Sequence, residues 1–243
     1  MPNNSFKPNL LRYGNGVAEG ACHAVAFTAQ VGLTRALAPK TMSLALFDFD
    51  GTITTHETMP DFVRQSVSRR RLLFGQILLA PLVLGYKLGI VSGTLIRRAI
   101  VRFGYSGVAV AMLESAGRDF ARTYLPNVLR PEAMQRIAWH KAQGHKVIVV
   151  SGGLDAYLSP WCTAHGLDLI CSSLQERSGV LTGHYAGRQC VLAEKARRVR
   201  ECYDLDTYST IYAYGDTPED RDLLGIATKR YYQWQEVGVA VGR

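Results

Sequence analysis

The feature that most constrains the fold is a short apolar run that ends in two carboxylates. The segment L-A-L-F-D-F-D-G-T-I spans Leu44–Ile53. Such a run, bounded by a turn signal, predicts a strand covered on both faces, so its far end is a loop. In open α/β sheets these loops form the ligand crevice. Asp48 and Asp50 point the same way along the strand, and two close like charges require a shared proton or a bound cation.

Strands and helices alternate along most of the chain. Residues 43–47 are the first predicted strand, and residues 56–125 carry helical patterns with few β signals. The further predictions are strands at 146–150, 167–171 and 210–214, helices at 132–143, 156–165, 193–202 and after Pro218, and a hairpin around Ser178-Gly179. This alternation predicts a parallel sheet wrapped on both faces. We therefore expect an α/β fold, with a Rossmann-like core over residues 42–55 and 126–243 and an inserted helical cap over residues 56–125.

Residues 1–41 differ from the rest of the chain. They contain several basic residues against a single acid, Glu19, and an Ala- and Gly-rich segment without a clear period. A secretory signal would need a cleaner apolar core after a short basic start. We expect either a poorly ordered extension or a start codon placed too early, with the folded chain beginning at Met42.

The net charge bears on the class of partner, and the cysteine spacing bears on the cellular compartment. A formal net charge of +8 favours an anionic partner such as a phosphate ester, an anionic lipid or a nucleic acid. The chain has no clustered aromatic and basic motif of the RNA-binding type, so we predict that it binds no nucleic acid. The five cysteines lie far apart, without a C-x-x-C pair or a histidine at metal-ligand spacing. This pattern favours reduced thiols in a cytoplasmic protein.

Two more predicted strands end in residues that carry chemistry. After residues 146–150 comes S-G-G, where the Ser151 hydroxyl and backbone N–H groups ahead of a helix can hold an anion. After residues 210–214 comes G-D-T-P-E-D, whose Asp216 and Asp220 can share a face and bind a hard cation such as Mg²⁺. Between these motifs, Lys195 lies on a basic predicted helix and can neutralise a phosphate.

The ordered set D-F-D-G-T, S-G-G, a lone lysine and G-D-x-x-x-D resembles the four motifs of the haloacid dehalogenase superfamily phosphatases. The match covers about residues 43–233. The resemblance implies an Mg²⁺-dependent phosphomonoesterase with an aspartyl-phosphate intermediate. It implies Asp48 as the nucleophile and Asp50 as the general acid and base, and Asp50 is typical of the phosphatases rather than of the dehalogenases.

The resemblance also implies the remaining site residues. The implied phosphate-binding residues are Ser151, Gly152, Lys195 and Thr52. The implied metal ligands are Asp48, Asp216 and the backbone carbonyl of Asp50, with Asp220 holding the shell of the metal.

An apolar segment in the predicted cap bears on the substrate. Residues 72–86 form an uncharged run of 15 residues, preceded by Arg69, Arg70 and Arg71 and followed by Lys87. This run is shorter than the roughly 20 residues that a bilayer span needs. The interpretations are a buried cap helix, an interfacial segment on anionic lipid at the inner membrane face, or a true span.

Two kinds of relative divide the substrate prediction. S-G-G followed by L-T-G, together with Glu57 nine residues after Asp48, is similar to phosphoserine phosphatase, in which an acid at that place holds the substrate amine. The long apolar segment flanked by arginines resembles phosphatidylglycerophosphatase C. We expect a lipid or lipid-precursor phosphate, with a small metabolite such as phosphoserine as the alternative. A non-enzymatic membrane-binding protein on a phosphatase scaffold is the second alternative, against which the intact carboxylates argue.

Overall fold

The computed structural model describes residues 42–238, so the predicted extension at residues 1–41 lies outside the described residues. The chain folds into strands and helices in the following order: β1 (Leu44–Phe47), α1 (Met59–Ser66), α2 (Arg69–Lys87), α3 (Gly93–Tyr105), α4 (Val110–Thr123), α5 (Pro131–Ala142), β2 (Lys146–Leu154), α6 (Asp155–His165), β3 (Asp168–Ser172), β4 (Leu174–Arg177), β5 (Val180–Tyr185), α7 (Ala193–Cys202), β6 (Ile211–Gly215), α8 (Arg221–Gly225), β7 (Lys229–Tyr232) and β8 (Gln235–Val237).

Among the described residues, the main sheet has six strands in the order β3-β2-β1-β6-β7-β8, and in this sheet only the pairing of β7 with β8 is antiparallel. Strand β1 lies between β2 and β6, with Phe47 in register with Val149 on one side and with Tyr214 on the other. The chain therefore leaves β1 toward one half of the sheet and later returns to build the other half. The predicted α/β class with a mainly parallel sheet is confirmed.

Helices cover both faces of the sheet because its central strand β1 is apolar at every position. In β1, Ala45 and Phe47 face a core layer shared with α1, α4, α5 and α6, whereas Leu44 and Leu46 face a layer shared with α7 and α8. All four residues are fully buried. Burial on both faces explains why this strand is a continuous apolar run rather than an alternating one.

Helix α2 differs from the buried cap helix that was one interpretation of its apolar run. It is a single helix that continues through Pro81, and Gly75 is its one buried residue. The side chains of Phe74 and Ile77 are 70% and 78% exposed. Among residues 42–238, no helix combines the length and apolar character that crossing a bilayer requires.

Strands β4 and β5 form a hairpin whose turn lies at the predicted Ser178-Gly179. This hairpin is bonded to the connection between α3 and α4. Backbone N–H groups of Gly107 and Val110 donate to Leu181 O and Gly179 O, each at 2.9 Å. The N–H of Leu181 donates in return to Val108 O at 2.8 Å. The helical region and the hairpin are therefore held together by main-chain hydrogen bonds.

Three details depart from the sequence predictions. Strand β2 runs through Ser151 to Leu154, four residues beyond its predicted end. Strands β7 and β8 were not predicted at all; their residues are polar and aromatic and lie at the edge of the sheet. Three cysteines are free thiols, as expected, but Cys202 takes part in a disulfide bond.

Candidate active site

The predicted site residues gather at the carboxyl ends of β1, β2 and β6. Asp48 directly follows β1 and Asp216 directly follows β6, while Gly152 lies near the end of β2. Lys195 enters from the first turn of α7. Since β1 pairs with β2 on one side and with β6 on the other, this edge is the topological switch point, where open α/β sheets bind their ligands.

Lys195 joins two of the predicted carboxylates. Its Nζ donates to Oδ1 of Asp48 at 2.5 Å and to Oδ1 of Asp220 at 2.6 Å. All three side chains are buried, with exposed fractions of 7% or less. Burying an ammonium group is costly unless it is paired, and here two carboxylates pair with it.

The carboxyl group of Asp50 is hydrogen-bonded to the start of α1. Its Oδ1 accepts from the backbone N–H of Thr58 at 2.8 Å and from the Thr58 hydroxyl at 2.6 Å. Sequence reasoning missed Thr58, although a threonine just ahead of Met59 and Pro60 is a helix-start signal that could have indicated it. Thr58 fixes the direction of the Asp50 carboxyl group.

Asp216 and Asp220 are held by the loop after β6. Oδ2 of Asp220 accepts from the N–H groups of Asp216 and Thr217 at 3.1 and 3.2 Å and from the Thr217 hydroxyl. Thr217 and Asp220 form a capping box, in which each side chain accepts from the backbone N–H of the other residue. Oδ1 of Asp216 accepts from the Thr52 hydroxyl at 3.2 Å. Asp220 therefore bonds both to the loop after β6, through Oδ2, and to Lys195, through Oδ1.

The predicted phosphate-binding residues fall into two groups. Gly152 and Lys195 line the cavity above the site. Ser151 is fully buried and its Oγ accepts from the N–H of Gly153 at 2.9 Å, and Thr52 is also buried with its hydroxyl on Asp216. Both hydroxyl groups therefore have protein partners within the described residues.

Burial sets the proton affinities of the site. It raises the pKa of Asp48 well above its ordinary value, and repulsion from Asp220 adds to this shift while Lys195 opposes it. Burial also raises the pKa of Asp50 and of Asp216. Burial alone would lower the pKa of Lys195, but its two carboxylate partners raise it above its ordinary value. Lys195 is therefore cationic at neutral pH.

The acidic residues fit a divalent cation. One carboxylate oxygen each from Asp48, Asp216 and Asp220 lies within 4.8 Å of the others. With Asp50 beside them, four carboxylates share a largely buried place with the ammonium group of Lys195. The guanidinium groups of Arg97 and Arg130 also act on Asp50 and Asp216, but these carboxylates still outnumber the basic groups. A set of oxygen donors with excess negative charge suits a hard ion such as Mg²⁺. The predicted cofactor is therefore chemically compatible with these residues.

A cavity of about 970 Å³ opens from these carboxylates toward α1, α2 and α3. Glu57, the predicted contact for a substrate amine, lines it. So does Arg97, which the sequence did not single out; it forms a salt bridge with Glu219 at 3.2 Å. The Nη1 of Arg97 is buried without a hydrogen-bond partner among the described residues. The salt bridge between Arg97 and Glu219 joins α3 to the loop that carries Asp216.

Comparison with known proteins agrees with this geometry. The family model described as haloacid dehalogenase-like hydrolase matches residues 45–225. The protein CicA of Caulobacter vibrioides is 33% identical over 192 residues, which cover 78% of this chain and 85% of CicA.

Two solved structures show the shared fold. A protein of unknown function from Bordetella pertussis Tohama I has a TM-score of 0.66 at 20% identity, covering 79% of this chain and 90% of that one. A phospho-aspartyl intermediate analogue of phosphoserine phosphatase has a TM-score of 0.58 at 21% identity, covering 79% and 86%. The chain therefore belongs to the haloacid dehalogenase-like hydrolases, and its fold is the one found in phosphoserine phosphatase.

Proposed function

We propose that the protein is a Mg²⁺-dependent phosphomonoester hydrolase that acts through an aspartyl-phosphate on Asp48. The observation that carries this proposal is that Asp48, Lys195 and Asp216 line the floor of one cavity, with the buried Asp220 bonded to Lys195 behind them. A phosphate dianion needs such a combination, because a carboxylate nucleophile repels it unless cations offset the charge.

The proposed reaction has two steps. In the first, a carboxylate oxygen of Asp48 forms a bond to phosphorus while the ester P–O bond breaks, and Asp50 gives its proton to the leaving alkoxide. In the second, Asp50 takes a proton from water, whose oxygen forms a bond to phosphorus while the bond between phosphorus and the Asp48 oxygen breaks, so that inorganic phosphate leaves and the Asp48 carboxylate is regenerated. The raised pKa of Asp50 suits this role, since a carboxyl group that holds a proton closer to neutral pH is a better general acid.

The other residues position the phosphoryl group. Lys195 would neutralise its equatorial oxygens, and Gly152 would offer backbone at the cavity wall. The Ser151 hydroxyl is proposed as a further donor, since its Oγ acts as an acceptor toward Gly153. We assign Thr52 to orienting Asp216, because its hydroxyl already donates there. Asp48, Asp216 and the Asp50 carbonyl would hold Mg²⁺, with Asp220 behind them, and the bound ion would supply positive charge beside the phosphate.

The proposed substrate is a lipid or lipid-precursor phosphate, because much of the cavity wall beyond the carboxylates is apolar. A small metabolite such as phosphoserine is the second candidate. It is favoured by Glu57 and Arg97, which offer an anion and a cation to a zwitterionic substrate beside the catalytic carboxylates. The third candidate, a non-enzymatic membrane-binding protein, is least favoured because all four carboxylates are in place.

The proposed partner surface is the inner, cytoplasmic face of a membrane. The outer side of α2 exposes Leu73, Phe74, Ile77 and Leu78, and the exposed Arg69 and Arg70 precede them. Arg71 differs from these two, because its guanidinium donates to the carbonyls of Gly104 and Ser106. Apolar side chains beside exposed cations are the chemistry of peripheral binding to anionic lipid.

A substrate screen tests the proposed function. Phosphoserine, histidinol phosphate, lysophosphatidate, phosphatidylglycerol phosphate and p-nitrophenyl phosphate are each incubated with the full chain and Mg²⁺, and released phosphate is measured. We expect hydrolysis of at least one substrate, with the highest kcat/KM on a lipid phosphate. Hydrolysis confined to phosphoserine would favour the second candidate, and no hydrolysis of any substrate would contradict the phosphatase assignment.

A further inference from the structure

One cavity connects the catalytic carboxylates with an apolar wall built by three helices. At its polar end lie Asp48, Asp50, Lys195 and Asp216. Away from them the wall includes Val63 of α1, Leu79 of α2 and Ile100 of α3. Its volume of about 970 Å³ is at the upper end of the roughly 300–1,000 Å³ found for small-molecule sites. A free phosphate or a short metabolite would fill only the polar end.

Helix α2 is apolar on two sides, and the side that faces the cavity is separate from the exposed one. Leu72, Gly75, Leu79 and Val83 line the cavity and follow one another at helical spacings of three or four residues. The exposed Phe74, Ile77 and Leu78 fall between them in sequence. A helix that only covered a small polar site would not need apolar side chains on its inner side.

The approach of α2 to α3 depends on Gly75. A Cβ at this position would lie 2.8 Å from Cε1 of Phe103, so a larger residue would push the two helices apart. Of the polar residues that line the same region, Arg64, Gln76 and Lys87 are exposed to solvent, whereas Arg71 is half-buried and its guanidinium is taken up by the carbonyls of Gly104 and Ser106. The inner part of this wall therefore remains apolar while charged and amide groups lie at its rim.

We propose that the apolar part of this cavity binds the hydrocarbon tail of a long-chain phosphomonoester whose phosphate contacts Asp48. This inference rests on the proposed phosphatase function and adds to it a tail-binding site. Protein interiors are normally close-packed, so an apolar cavity of this size between helices gains stability when hydrocarbon fills it. The two ends of the cavity thus match the two ends of an amphipathic phosphate ester.

A homologous series of alkyl phosphates tests the tail site. Butyl, octyl and dodecyl phosphate share one head group and are used below their micellar concentrations with the full chain and Mg²⁺. Each methylene that enters an apolar site raises affinity by roughly fourfold at most. We expect kcat/KM to rise on the order of a hundredfold from butyl to octyl phosphate.

A cavity-filling variant and a matched control test whether the preference for long alkyl chains arises in this cavity. Ile100→Trp places a large ring in the apolar wall, and we expect it to remove most of the preference for octyl over butyl phosphate. Leu95→Trp lies on the same helix but faces solvent, with Leu95 48% exposed, and should keep the wild-type preference. Circular dichroism checks folding, and Val63→Trp on α1 replaces Ile100→Trp if that variant does not fold.

The outcomes separate the two proposals. Equal kcat/KM for all chain lengths would overturn the tail site and leave the phosphatase assignment intact. If none of the alkyl esters is hydrolysed, calorimetric binding of octyl and butyl phosphate decides on the tail site, while the substrate screen decides separately on the phosphatase assignment. Binding that does not depend on chain length, or a preference that Ile100→Trp leaves unchanged, would overturn it.

Discussion

Gly51 and Asp216 approach so closely that no side chain fits between them. A Cβ added at Gly51 would overlap Oδ2 of Asp216, and Gly51 has a φ of +80°, which disfavours other residues. The turn after β1 therefore sets the position of the carboxylate that follows β6. The glycine of D-F-D-G-T thus acts on a residue 165 positions further along the chain.

Gly51→Ala should consequently lower kcat by tenfold or more, because Asp216 must move away from its neighbours. Gly144→Ala is the matched control, since Gly144 also has a positive φ, of +70°, but has no atom within 4 Å of its Cβ position. Both variants carry a backbone cost of roughly 1–2 kcal/mol. Equal activity of the two would show that the contact with Asp216 has no catalytic importance.

Asp48→Asn should reduce hydrolysis of p-nitrophenyl phosphate by roughly a thousandfold or more, since an amide cannot form the acyl-phosphate. The amide oxygen can still accept from Lys195, so the melting temperature should change little. Asp222→Asn, at an exposed position of α8, is the control and should retain wild-type activity. Substantial turnover by Asp48→Asn would remove Asp48 from the role of nucleophile.

Chelation by EDTA should abolish activity, and added Mg²⁺ should restore it. The reason is that Asp48, Asp216 and Asp220 carry more negative charge than Lys195 can neutralise. Asp216→Asn should raise the Mg²⁺ concentration needed for half-maximal activity, measured by titration of the metal-free protein. Activity that survives exhaustive chelation would contradict the metal site.

Binding to anionic liposomes should depend on the cations ahead of the exposed face of α2. Each basic residue near an anionic leaflet contributes about 1 kcal/mol, so Arg69→Ser with Arg70→Ser should weaken co-sedimentation about 30-fold at low salt. Arg118→Ser with Arg122→Ser removes two exposed arginines from α4 and is the control. Equal binding of the wild type to neutral and anionic liposomes would contradict the proposed membrane contact.

His140 should make the folded state sensitive to acid. Its side chain is fully buried, and its Nε2 lies 2.8 Å from the Tyr214 hydroxyl. Burial lowers the pKa of His140 to about 3, and the charges of His145 and Arg136 add to this shift. The unfolded chain, with a pKa near 6.5, binds this proton first. Stability from the neutral ring is therefore complete above about pH 6.5 and declines as the pH falls toward 3, by at most about 1.4 kcal/mol per unit.

His140→Gln should flatten that decline, which urea unfolding between pH 4 and 8 would measure. An unchanged pH dependence in the variant would assign the acid sensitivity to other groups. His145→Gln is an informative comparison, because burial lowers the pKa of His145 as well, and its Nδ1 lies 2.8 Å from Nδ1 of His140, whereas Tyr214 bonds to the other ring nitrogen of His140.

The sequence located Asp48 and Asp216 at the ends of β1 and β6 because each of these strands is a local apolar run followed directly by its carboxylate, whereas Ser151 and Gly152 lie inside β2. Parallel pairing then brings those ends together whatever the intervening chain does. It did not predict the pairing of Arg97 with Glu219, since this contact depends on a tertiary distance that no local pattern encodes. Thr58, the partner of Asp50, was missed although its place at the start of α1 is a local signal.

The exposure of α2 and the strands β7 and β8 were also not predictable from local sequence patterns. Apolar residues around the whole of α2 suggested burial, yet the structure exposes one side and turns the other toward a cavity. Strands β7 and β8 contain few apolar residues because they lie at the sheet edge, where pairing with a neighbour rather than core packing defines the strand.

The hairpin of β4 and β5 has a consequence for how substrates reach Asp48. The helical region enters and leaves the core through the chain itself, and its hydrogen bonds to Gly179 and Leu181 add a further attachment beside the Arg97–Glu219 salt bridge. A body fixed at several separated points does not swing as a hinged lid. We therefore expect access to arise from local displacement of α2, which the hairpin does not hold, while α3 and α4 keep their places relative to the sheet.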